Sequence, residues 1–590
     1  MKSFLKYTLA TIVGVMIAGF IMMILSIGIV SSIVSMSDKP VTVKDKSILI
    51  LRLENEVIER SNKSPFSDLD IPGFSGTKQT GLNDILSCIA KAKTDDRIEG
   101  IYLNPSAIRA GLATVEEIRN ALIDFKTSGK FIYAYGEALS QKAYYLLSVA
   151  DQLVLNPKGM VELKGISAQR NFYKNALAKV GVEMQVVRHG KFKAAVEPYL
   201  LEKMSPENRL QTQTYVGSLW NQMLADIAVS RGMTVADLNG LADGVTTFQG
   251  AEYLLSKGLV DTLKYKDQVI DDLKKLTATK ESKDVQSIDI AHYAKVAVET
   301  DGKGLARDKI AVIYASGGID MPGSGSQDID SEVLSRTIRE ARRDSTIKAI
   351  VLRINSPGGS AYGSEVIWRE VKLAAEAKPV IASMGDVAAS GGYYIAAAAD
   401  TILADHTTIT GSIGIFGVIP NISELLNDKL GITQDVVNTN EHSDILALTR
   451  PMTSFEKGLL QNYIEEGYST FTSRVAEGRG MTQEAVDEVG QGRVWAAENA
   501  LEIGLVDQYG GINDAIQLAE TMAGLDRYRI VSLPKIKDPF EEWLKELSGT
   551  ARMWVMKQEM GDTYPIYQQL KQIKQTRGIL ARMPYDLQLD

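Results

Sequence analysis

The sequence of 590 residues contains one cysteine and four histidines, and this scarcity excludes several classes of site. Cys88 alone cannot form a disulfide within the chain or build a thiolate metal cluster. The histidines, His189, His292, His406 and His442, are scattered without a metal-ligand spacing such as HExxH. We therefore expect no bound metal.

The sequence also lacks an excess of positive charge, with 65 Lys and Arg against 73 Asp and Glu and a net charge of -8. Proteins that bind nucleic acids usually carry a basic excess or a basic stripe, so we expect no nucleic-acid partner. The hydrophobic content of 45% and the charged content of 23% are ordinary for globular proteins. Each half of a chain this long can therefore bury a sizeable core.

Charge is absent from the amino-terminal segment between Tyr7 and Ser37, which is almost entirely apolar. A helix of roughly 20 such residues spans a bilayer, whereas the apolar core of a cleaved signal peptide has only about 7 to 15. Lys2 and Lys6 precede the segment and favour a cytoplasmic amino end, although three lysines between residues 39 and 46 weaken this bias. We predict a cytoplasmic tail and an uncleaved membrane anchor within residues 1–45.

The rest of the chain contains two copies of one unit, which align without a gap over about 70 residues. The short motifs RGMT and GLVD also recur in the same order. We place the first repeat at residues 46–300, the second at 301–537 and a C-terminal extension at 538–590. The aligned pairs that define the duplication include Ile98 with Ile347, Tyr144 with Tyr393, Asp151 with Asp400, and Gly165 with Gly414.

Each repeat alternates short β-rich runs with helical stretches, as in KSILILRL and DKIAVIYA at the starts of the two units. Continuous apolar strands separated by amphipathic helices are typical of a mainly parallel sheet covered by helices. The predicted fold class is α/β, in two tandem units. The C-terminal extension contains no motif, and a docking helix or an oligomer contact is the simplest interpretation.

The two copies differ at one serine. The segment GDVAASGGYYIAAAAD of the second repeat contains Ser390, whereas its counterpart GEALSQKAYYLLSVAD contains Gln141. A serine at a turn between a strand and a helix exposes its hydroxyl, and the Gly391 N–H beside it can stabilise a developing oxyanion. The alternative is that Ser390 only caps the helix.

A glycine-rich turn follows the preceding strand of the second repeat, in the sequence NSPGGSAYGSE. Gly358 and Gly359 permit close approach of a reacting oxygen to free backbone N–H groups, although such a sequence is often only a tight turn. The first-repeat counterpart, NPSAIRAGLA, lacks the glycine pair. The turn is thus a candidate second half of an oxyanion hole.

A nucleophilic serine needs a base, but His406 and His442 do not lie in a glycine-rich or repeat-matched setting. Lys193, in VVRHGKFKAAVEPYL of the first repeat, is replaced in the second-repeat counterpart VVNTNEHSDILALTR. The serine and the lysine therefore occur in different copies. Such an asymmetry is expected if one active site is divided between the halves, although drift in a structural duplication would also produce differences.

Lys193 can act as a base only if its pKa falls from about 10.4 to about 7 or 8. The apolar residues that flank it favour burial, which lowers a lysine pKa. Arg188 and Lys191 would act in the same direction, whereas Glu197 would oppose the shift if it pointed into the site.

Taken together, NSPGGS, SMGDVAASGGYYIA, TGSIGIFG and FKAAVEPY resemble the long, duplicated form of bacterial signal peptide peptidase A, or protease IV. The resemblance implies a crotonase/Clp-protease-like fold and a serine–lysine dyad. It places the nucleophile at Ser390, the general base at Lys193 and a hydroxyl that orients the lysine at Ser412. The oxyanion donors would be the main-chain N–H groups of Gly391 and of Gly358 or Gly359.

The same resemblance implies a homo-oligomer, commonly a homotetramer, anchored in the inner membrane with its catalytic domains on the extracytoplasmic, periplasmic side. Its substrates would be remnants of cleaved signal peptides and other apolar peptides, and no cofactor is implied. Two alternatives remain at this point. One is a crotonase-like enzyme that acts on acyl thioesters, and the other is a non-catalytic membrane scaffold.

Overall fold

A computed structural model of the protein describes residues 6–7, 11, 13–21, 41–61, 79–296, 306–320, 328–535 and 578–583. Most of the predicted anchor lies outside these residues, as does the predicted boundary near residue 300. Among the residues described, no helix is long and apolar enough to cross a bilayer.

The first repeat is built on a six-stranded parallel sheet. The strands of this repeat are β1 (Ser47–Leu51), β2 (Glu56–Ile58), β3 (Gln79–Gly81), β4 (Ile98–Leu103), β5 (Phe131–Leu139), β6 (Gln152–Val161), β7 (Glu183–Arg188), β8 (Thr262–Leu263) and β9 (Ser287–Asp289). The order in the sheet is β8-β6-β5-β4-β1-β9, while β2 and β3 form a separate parallel pair. The central strands are almost completely buried, as expected for apolar runs covered on both faces.

The second repeat is built on an eight-stranded sheet. The strands of this repeat, with the C-terminal one, are β10 (Lys309–Ser316), β11 (Ile347–Ser356), β12 (Gly358–Ser360), β13 (Val380–Ala389), β14 (Thr401–Ala404), β15 (Ile409–Gly411), β16 (Phe416–Asn421), β17 (Val494–Ala496), β18 (Gln508–Tyr509), β19 (Arg529–Leu533) and β20 (Gly578–Arg582). The main path of the sheet is β17-β15-β13-β11-β10-β19, and β14 and β18 branch from β13. All pairings in this sheet are parallel except that of β15 with β17. The predicted mainly parallel α/β sheets are confirmed.

Helices connect the strands of both sheets. In the first repeat they are α1 (Leu82–Thr94), α2 (Leu112–Lys126), α3 (Gln141–Leu147), α4 (Lys174–Lys179), α5 (Glu197–Leu200), α6 (Pro206–Arg231), α7 (Val235–Asp243), α8 (Ala251–Ser256), α9 (Lys266–Leu276) and α10 (Ile290–Tyr293). In the second they are α11 (Ser331–Arg343), α12 (Ala361–Ala375), α13 (Gly391–Ala396), α14 (Ser454–Arg479), α15 (Gln483–Val489), α16 (Ala497–Glu502) and α17 (Ile512–Ala523).

The recurring RGMT motif ends the two longest helices in the same way. Gly232 after α6 and Gly480 after α14 both have a φ of 63°, a left-handed conformation that glycine adopts without a Cβ clash. At the other end, the side chains of Ser205 and Thr453 accept a hydrogen bond from the third residue of each helix. The duplication is therefore preserved in the capping residues of these helices.

A buried network of charged side chains joins the two repeats. Arg353 on β11 of the second repeat is fully buried and donates to Glu59 and Glu117 of the first. Asn355, two residues further along β11, donates to Glu59 and to Asp386. Because these groups have lost their water, each depends on its partners across the contact. The network fixes the position of one sheet against the other.

A four-stranded antiparallel sheet also crosses between the repeats, in the order β12-β20-β16-β7. In it, β7 of the first repeat pairs with β16 of the second along its full length, from Arg188 opposite Phe416 to Glu183 opposite Asn421. The chain that follows β7 is thereby carried to the end of the second sheet, where the candidate site lies.

Candidate active site

Ser390 lies at the turn between β13 and α13, as predicted, and its side chain is fully buried. Its φ of 56° is uncommon for a residue with a Cβ and marks a strained turn. Two backbone hydrogen bonds stabilise this conformation. The Ser390 N–H donates to the Gly411 carbonyl at 2.7 Å, and the Ser390 carbonyl accepts from the Tyr394 N–H at 2.8 Å. The turn fixes the direction of the hydroxyl.

Lys193 reaches Ser390 from the other repeat. It lies five residues after the end of β7, and its Nζ is 2.8 Å from Ser390 Oγ. The same nitrogen is 3.0 Å from both the carbonyl oxygen and the hydroxyl of Ser412. The structure therefore brings together the serine, the lysine and the second serine that sequence analysis singled out, over 197 residues of chain.

Burial lowers the pKa of the Lys193 amine well below its ordinary value, because water no longer stabilises the charged form. The predicted help from Arg188 is not found, since its guanidinium donates to the Lys193 carbonyl oxygen and burial is the cause of the shift. Glu197 does not oppose the shift either. Its carboxylate accepts from Ser205 and Asn208 instead.

Three oxygens surround the Lys193 amine, and a charged amine could donate a hydrogen bond to each of them, whereas a neutral amine can donate to only two. Such an amine has two N–H donors and one lone pair. When the amine is neutral, the two oxygens of Ser412 can accept both N–H bonds, and the lone pair is then free to accept the Ser390 hydroxyl, whose other acceptor is the Gly414 carbonyl at 3.4 Å. Ser412 itself is held at a φ of 51°, and its N–H donates to the Arg493 carbonyl at 2.6 Å. This arrangement can accept a proton from Ser390.

Two glycines that sequence analysis did not single out as site residues make room for the lysine stem. A Cβ added at Gly492 would lie 2.6 Å from Lys193 Cβ, and one added at Gly414 would lie 3.2 Å from Lys193 Cδ. Gly414 was visible as a matched glycine of the duplication, but its close approach to Lys193 depends on the fold.

The candidate oxyanion glycines lie beside the serine turn, because α13 packs against β11 and β12. Gly358 has a φ of 94°, and its N–H donates to Ser356 Oγ at 3.2 Å. A Cβ added at Gly392 would lie 2.6 Å from the Ser356 carbonyl oxygen. Gly391, the first residue of α13, thus stands close to the end of β11 from which Gly358 and Gly359 follow.

A strand of the C-terminal extension occupies the adjoining groove. β20 pairs antiparallel with β12 on one side, where Gly359 faces Ala581, and with β16 on the other. The buried Leu580 side chain packs in a cluster with Val196 and Phe416. The stretch predicted to form a docking helix or an oligomer contact, near residues 540–560, lies outside the described residues. The described part of the extension is a strand, and it shows that extended peptide fits here.

The histidines of the second repeat lie elsewhere, as expected. His406 contacts Glu116 at 2.7 Å and His442 contacts Glu456 at 3.2 Å. In the first repeat, Gln141 stands where Ser390 stands in the second. Its side-chain oxygen accepts from the N–H groups of Lys164 and Gly165 at 3.0 and 3.1 Å, so this copy has no hydroxyl at the position of Ser390.

Comparisons with known proteins agree with this division of the chain. Residues 124–280 and 372–526 match the model of peptidase family S49. The chain is 33% identical to the chloroplastic serine protease SPPA of Arabidopsis thaliana, over 92% of this chain and 78% of that protein. It is 37% identical to Protease 4 of Salmonella typhi, over 77% of this chain and 74% of that protein.

Two more distant similarities are narrower. The putative signal peptide peptidase SppA of Enterococcus faecium is 29% identical over 44% of this chain and 74% of that protein. The solved structure of a ClpP1 point mutant from Listeria monocytogenes covers 35% of this chain and 94% of its own, at 15% identity. Its TM-score of 0.24 carries no argument about the fold.

Proposed function

The chain belongs to peptidase family S49 as a serine peptidase with two tandem copies of the family domain, and we propose that it cleaves peptides with a Ser390–Lys193 dyad divided between them. The observation that carries this proposal is the 2.8 Å contact between Lys193 Nζ and Ser390 Oγ in a buried site. A lysine whose pKa is lowered by burial is a suitable base, because a larger fraction of its amine is neutral at any given pH.

In the acylation step, Lys193 Nζ accepts the Ser390 proton while Ser390 Oγ attacks the carbonyl carbon of the scissile peptide. The N–H group of Gly391 stabilises the negative charge that develops on the carbonyl oxygen, together with that of Gly359 or with that of Gly358 once it leaves Ser356 Oγ. The tetrahedral intermediate collapses, and the C–N bond breaks as the leaving amine takes the proton from Lys193. An acyl ester on Ser390 remains.

In the deacylation step, Lys193 accepts a proton from a water molecule that attacks the ester carbonyl carbon. Collapse of the second intermediate releases the new carboxyl terminus and returns the proton to Ser390 Oγ. Ser412 is a positioning residue in both steps, since its two oxygens hold the amine of Lys193 with its lone pair toward the reacting atoms.

The substrate groove is the space between β12 and β16, which the C-terminal strand β20 occupies. A substrate would bind there in an extended conformation, by strand addition on both sides. The apolar neighbours of Leu580 favour apolar side chains next to the scissile bond. Remnants of cleaved signal peptides have this chemistry and are the proposed natural substrates.

The uncharged segment between Tyr7 and Ser37 would serve as a single membrane anchor. It would keep the two repeats on the extracytoplasmic side of the inner membrane, where apolar peptide remnants accumulate. We also propose that the chain works as a homo-oligomer, with the homotetramer as the expected form.

Three variants test the dyad. Ser390→Ala and Lys193→Ala should each lower kcat/KM for an apolar peptide by about a thousandfold or more, as is typical when one member of a catalytic unit is removed. Lys193→Arg should be equally inactive, because a guanidinium does not lose its proton in proteins. A fluorophosphonate probe should label Ser390 in the unchanged chain. Full activity in any of the three variants would exclude the proposed dyad.

A further inference from the structure

β7 of the first repeat pairs with β16 of the second, and the duplication predicts that the chain also contains a second pair of segments equivalent to these two strands. In the alignment that matches Gly165 with Gly414, residues 167–172 of the first repeat are the counterpart of β16. In the alignment of VVRHGKFK with VVNTNEHS, residues 433–438 of the second repeat are the counterpart of β7. The chain therefore carries a second set of the same two segments, which we call the acceptor segment (167–172) and the donor segment (433–438).

Within the part of the chain that the structure describes, neither segment belongs to a strand. Every residue from 427 to 441 is exposed. Val437 in the donor segment is 95% exposed, whereas its counterpart Val187 in β7 is 2% exposed. Burial of apolar side chains is favourable, so exposed valines in a strand-like sequence indicate a surface that another segment can cover. The donor segment has such a sequence and no segment packed over it among the described residues.

The acceptor segment has the exposure pattern of a strand at a sheet edge. Ser167, Gln169 and Asn171 are exposed, and the residues between them are half-buried. This alternation with a period of two is typical of extended chain that covers a core with one face. The segment is thus already shaped to receive a second strand.

A cavity of about 410 Å³ opens in the first repeat beside the acceptor segment. Its lining includes Ile108, Gln141 and Ile166, so it corresponds in position to the candidate active site of the second repeat. In the second repeat, Lys193 fills this space and lies 3.2 Å from a Cβ placed on Gly414. A Cβ placed on the matching Gly165 meets no described atom within 4 Å.

We propose that a second copy of this chain covers both features. The donor segment of one copy pairs antiparallel with the acceptor segment of the next, with Asn438 opposite Ser167, as Arg188 is opposite Phe416 within the chain. Residues 439–446, which correspond to the loop that carries Lys193, then close the cavity at Gln141. This inference extends the proposed homo-oligomer and does not depend on peptidase activity.

The charges of the two surfaces are complementary. Residues 433–446 contain three acidic side chains and no lysine or arginine: Asp435, Glu441 and Asp444. The wall of the cavity carries three basic side chains and one acidic one: Arg109, Lys142, Lys164 and Glu162. Asp444 already pairs with Arg450, and Lys164 with Glu162, so the charges outside these two ion pairs are Asp435 and Glu441 on one surface and Arg109 and Lys142 on the other. Opposite charges on two surfaces favour their association.

Pairing between two donor segments is the main alternative, and it fits the structure less well. An antiparallel contact of 433–438 with itself places the two copies of Asp435 near each other and leaves the cavity at Gln141 open. In the proposed contact, each copy gives one segment and accepts another. Such a contact is heterologous, and it closes into a ring when the rotation between copies permits.

Proline variants of the full-length chain in detergent test the contact. Proline lacks the N–H that a strand pair needs, and successive N–H groups point to opposite sides, so a double substitution removes one donor from the pairing. Val436→Pro/Val437→Pro should inactivate the donor segment, and Ala168→Pro/Gln169→Pro the acceptor segment. Glu281→Pro/Ser282→Pro, in an exposed loop, is the matched control.

Native mass spectrometry then distinguishes the possibilities. The unchanged chain and the control should assemble, whereas each proline variant should stay at 64.5 kDa. A 1:1 mixture of the two variants should form a species of twice the chain mass and none larger, because one intact contact remains. Assembly of the acceptor variant alone, or a monomeric unchanged chain, would overturn the proposal.

A crosslink checks the register without relying on variants that disturb the backbone. Ser167→Cys/Asn438→Cys should form a disulfide between copies on oxidation, whereas Ser167→Cys/Thr433→Cys, with the cysteines at opposite ends of the pair, should not. Peptide cleavage measured on the same samples separates the two proposals. Assembly that persists in an inactive Ser390→Ala chain upholds this contact alone, and equal crosslinking of both cysteine pairs would contradict it.

Discussion

Ser412 binds the amine of Lys193 twice, through its carbonyl oxygen and its hydroxyl, each at 3.0 Å. Both residues are fully buried, so water cannot replace either contact without entering the core. In the proposed dyad the amine is neutral, and these two bonds use both of its N–H groups, so that its lone pair can face Ser390 Oγ. The position of the Lys193 amine therefore depends on Ser412.

The substitution Ser412→Ala tests this dependence. It removes the hydroxyl contact and keeps the carbonyl contact, so the amine gains rotational freedom, and we expect kcat to fall about tenfold to a hundredfold with little change in KM. The pH profile of kcat should also shift, because an oxygen contact of the amine has been lost. Thr410→Val is the matched control, since Thr410 is equally buried but donates to Ala388. A profile that moves equally in both variants would contradict the positioning role.

The pH dependence of kcat/KM should follow the protonation of Lys193. In the proposed dyad the neutral amine is the active form, so activity should be absent at low pH and rise as the pH passes through the Lys193 pKa. Because burial lowers this pKa well below its ordinary value, the rise should be centred well below about 10.4. Initial rates with a peptide that has no ionisable group measure the profile directly. A rise centred near the pKa of a free lysine would contradict a buried base.

The network around Arg353 should contribute strongly to stability. The substitution Arg353→Met leaves the buried carboxylates of Glu59 and Glu117 without their main partner, and we expect a loss of about 3 to 5 kcal/mol in the free energy of unfolding. Urea unfolding monitored by circular dichroism measures this loss. Lys93→Met, which removes an exposed ion pair with Asp124, should cost less than about 1 kcal/mol. Similar losses in the two variants would be inconsistent with a structural role for the network.

Local patterns were sufficient to predict the sheets and the serine turn. β1, β10 and the strands beside them in the sheets are continuous apolar runs. Each run occurs in both repeats, which strengthens its prediction as a strand. The difference between Gln141 and Ser390 identified which copy could hold the nucleophile. The loss of Lys193 in the second copy predicted that the base would come from the first, and the two side chains are in contact.

Contacts between distant segments could not be predicted in this way. β7 is an ordinary amphipathic strand, and nothing in its sequence indicates that it pairs with β16, more than 220 residues later. Arg353 interrupts an apolar strand and could have been noticed as a buried charge, but its partners are 236 and 294 residues away. The expected lowering of the Lys193 pKa by Arg188 is not found, because proximity in sequence does not fix the direction of a side chain and the guanidinium donates to the Lys193 carbonyl.

The C-terminal strand should compete with substrates for the groove between β12 and β16. A segment tethered to the same chain has an effective concentration of up to about millimolar, so it raises the apparent KM of a peptide that needs the same edges. Deletion of residues 578–590 should therefore lower KM severalfold and leave kcat unchanged, because the reacting groups are untouched. Deletion of residues 584–590 alone retains β20 and is the matched control. Equal KM values in the two truncated chains, measured from initial rates on one apolar peptide, would mean that substrates do not bind where β20 lies.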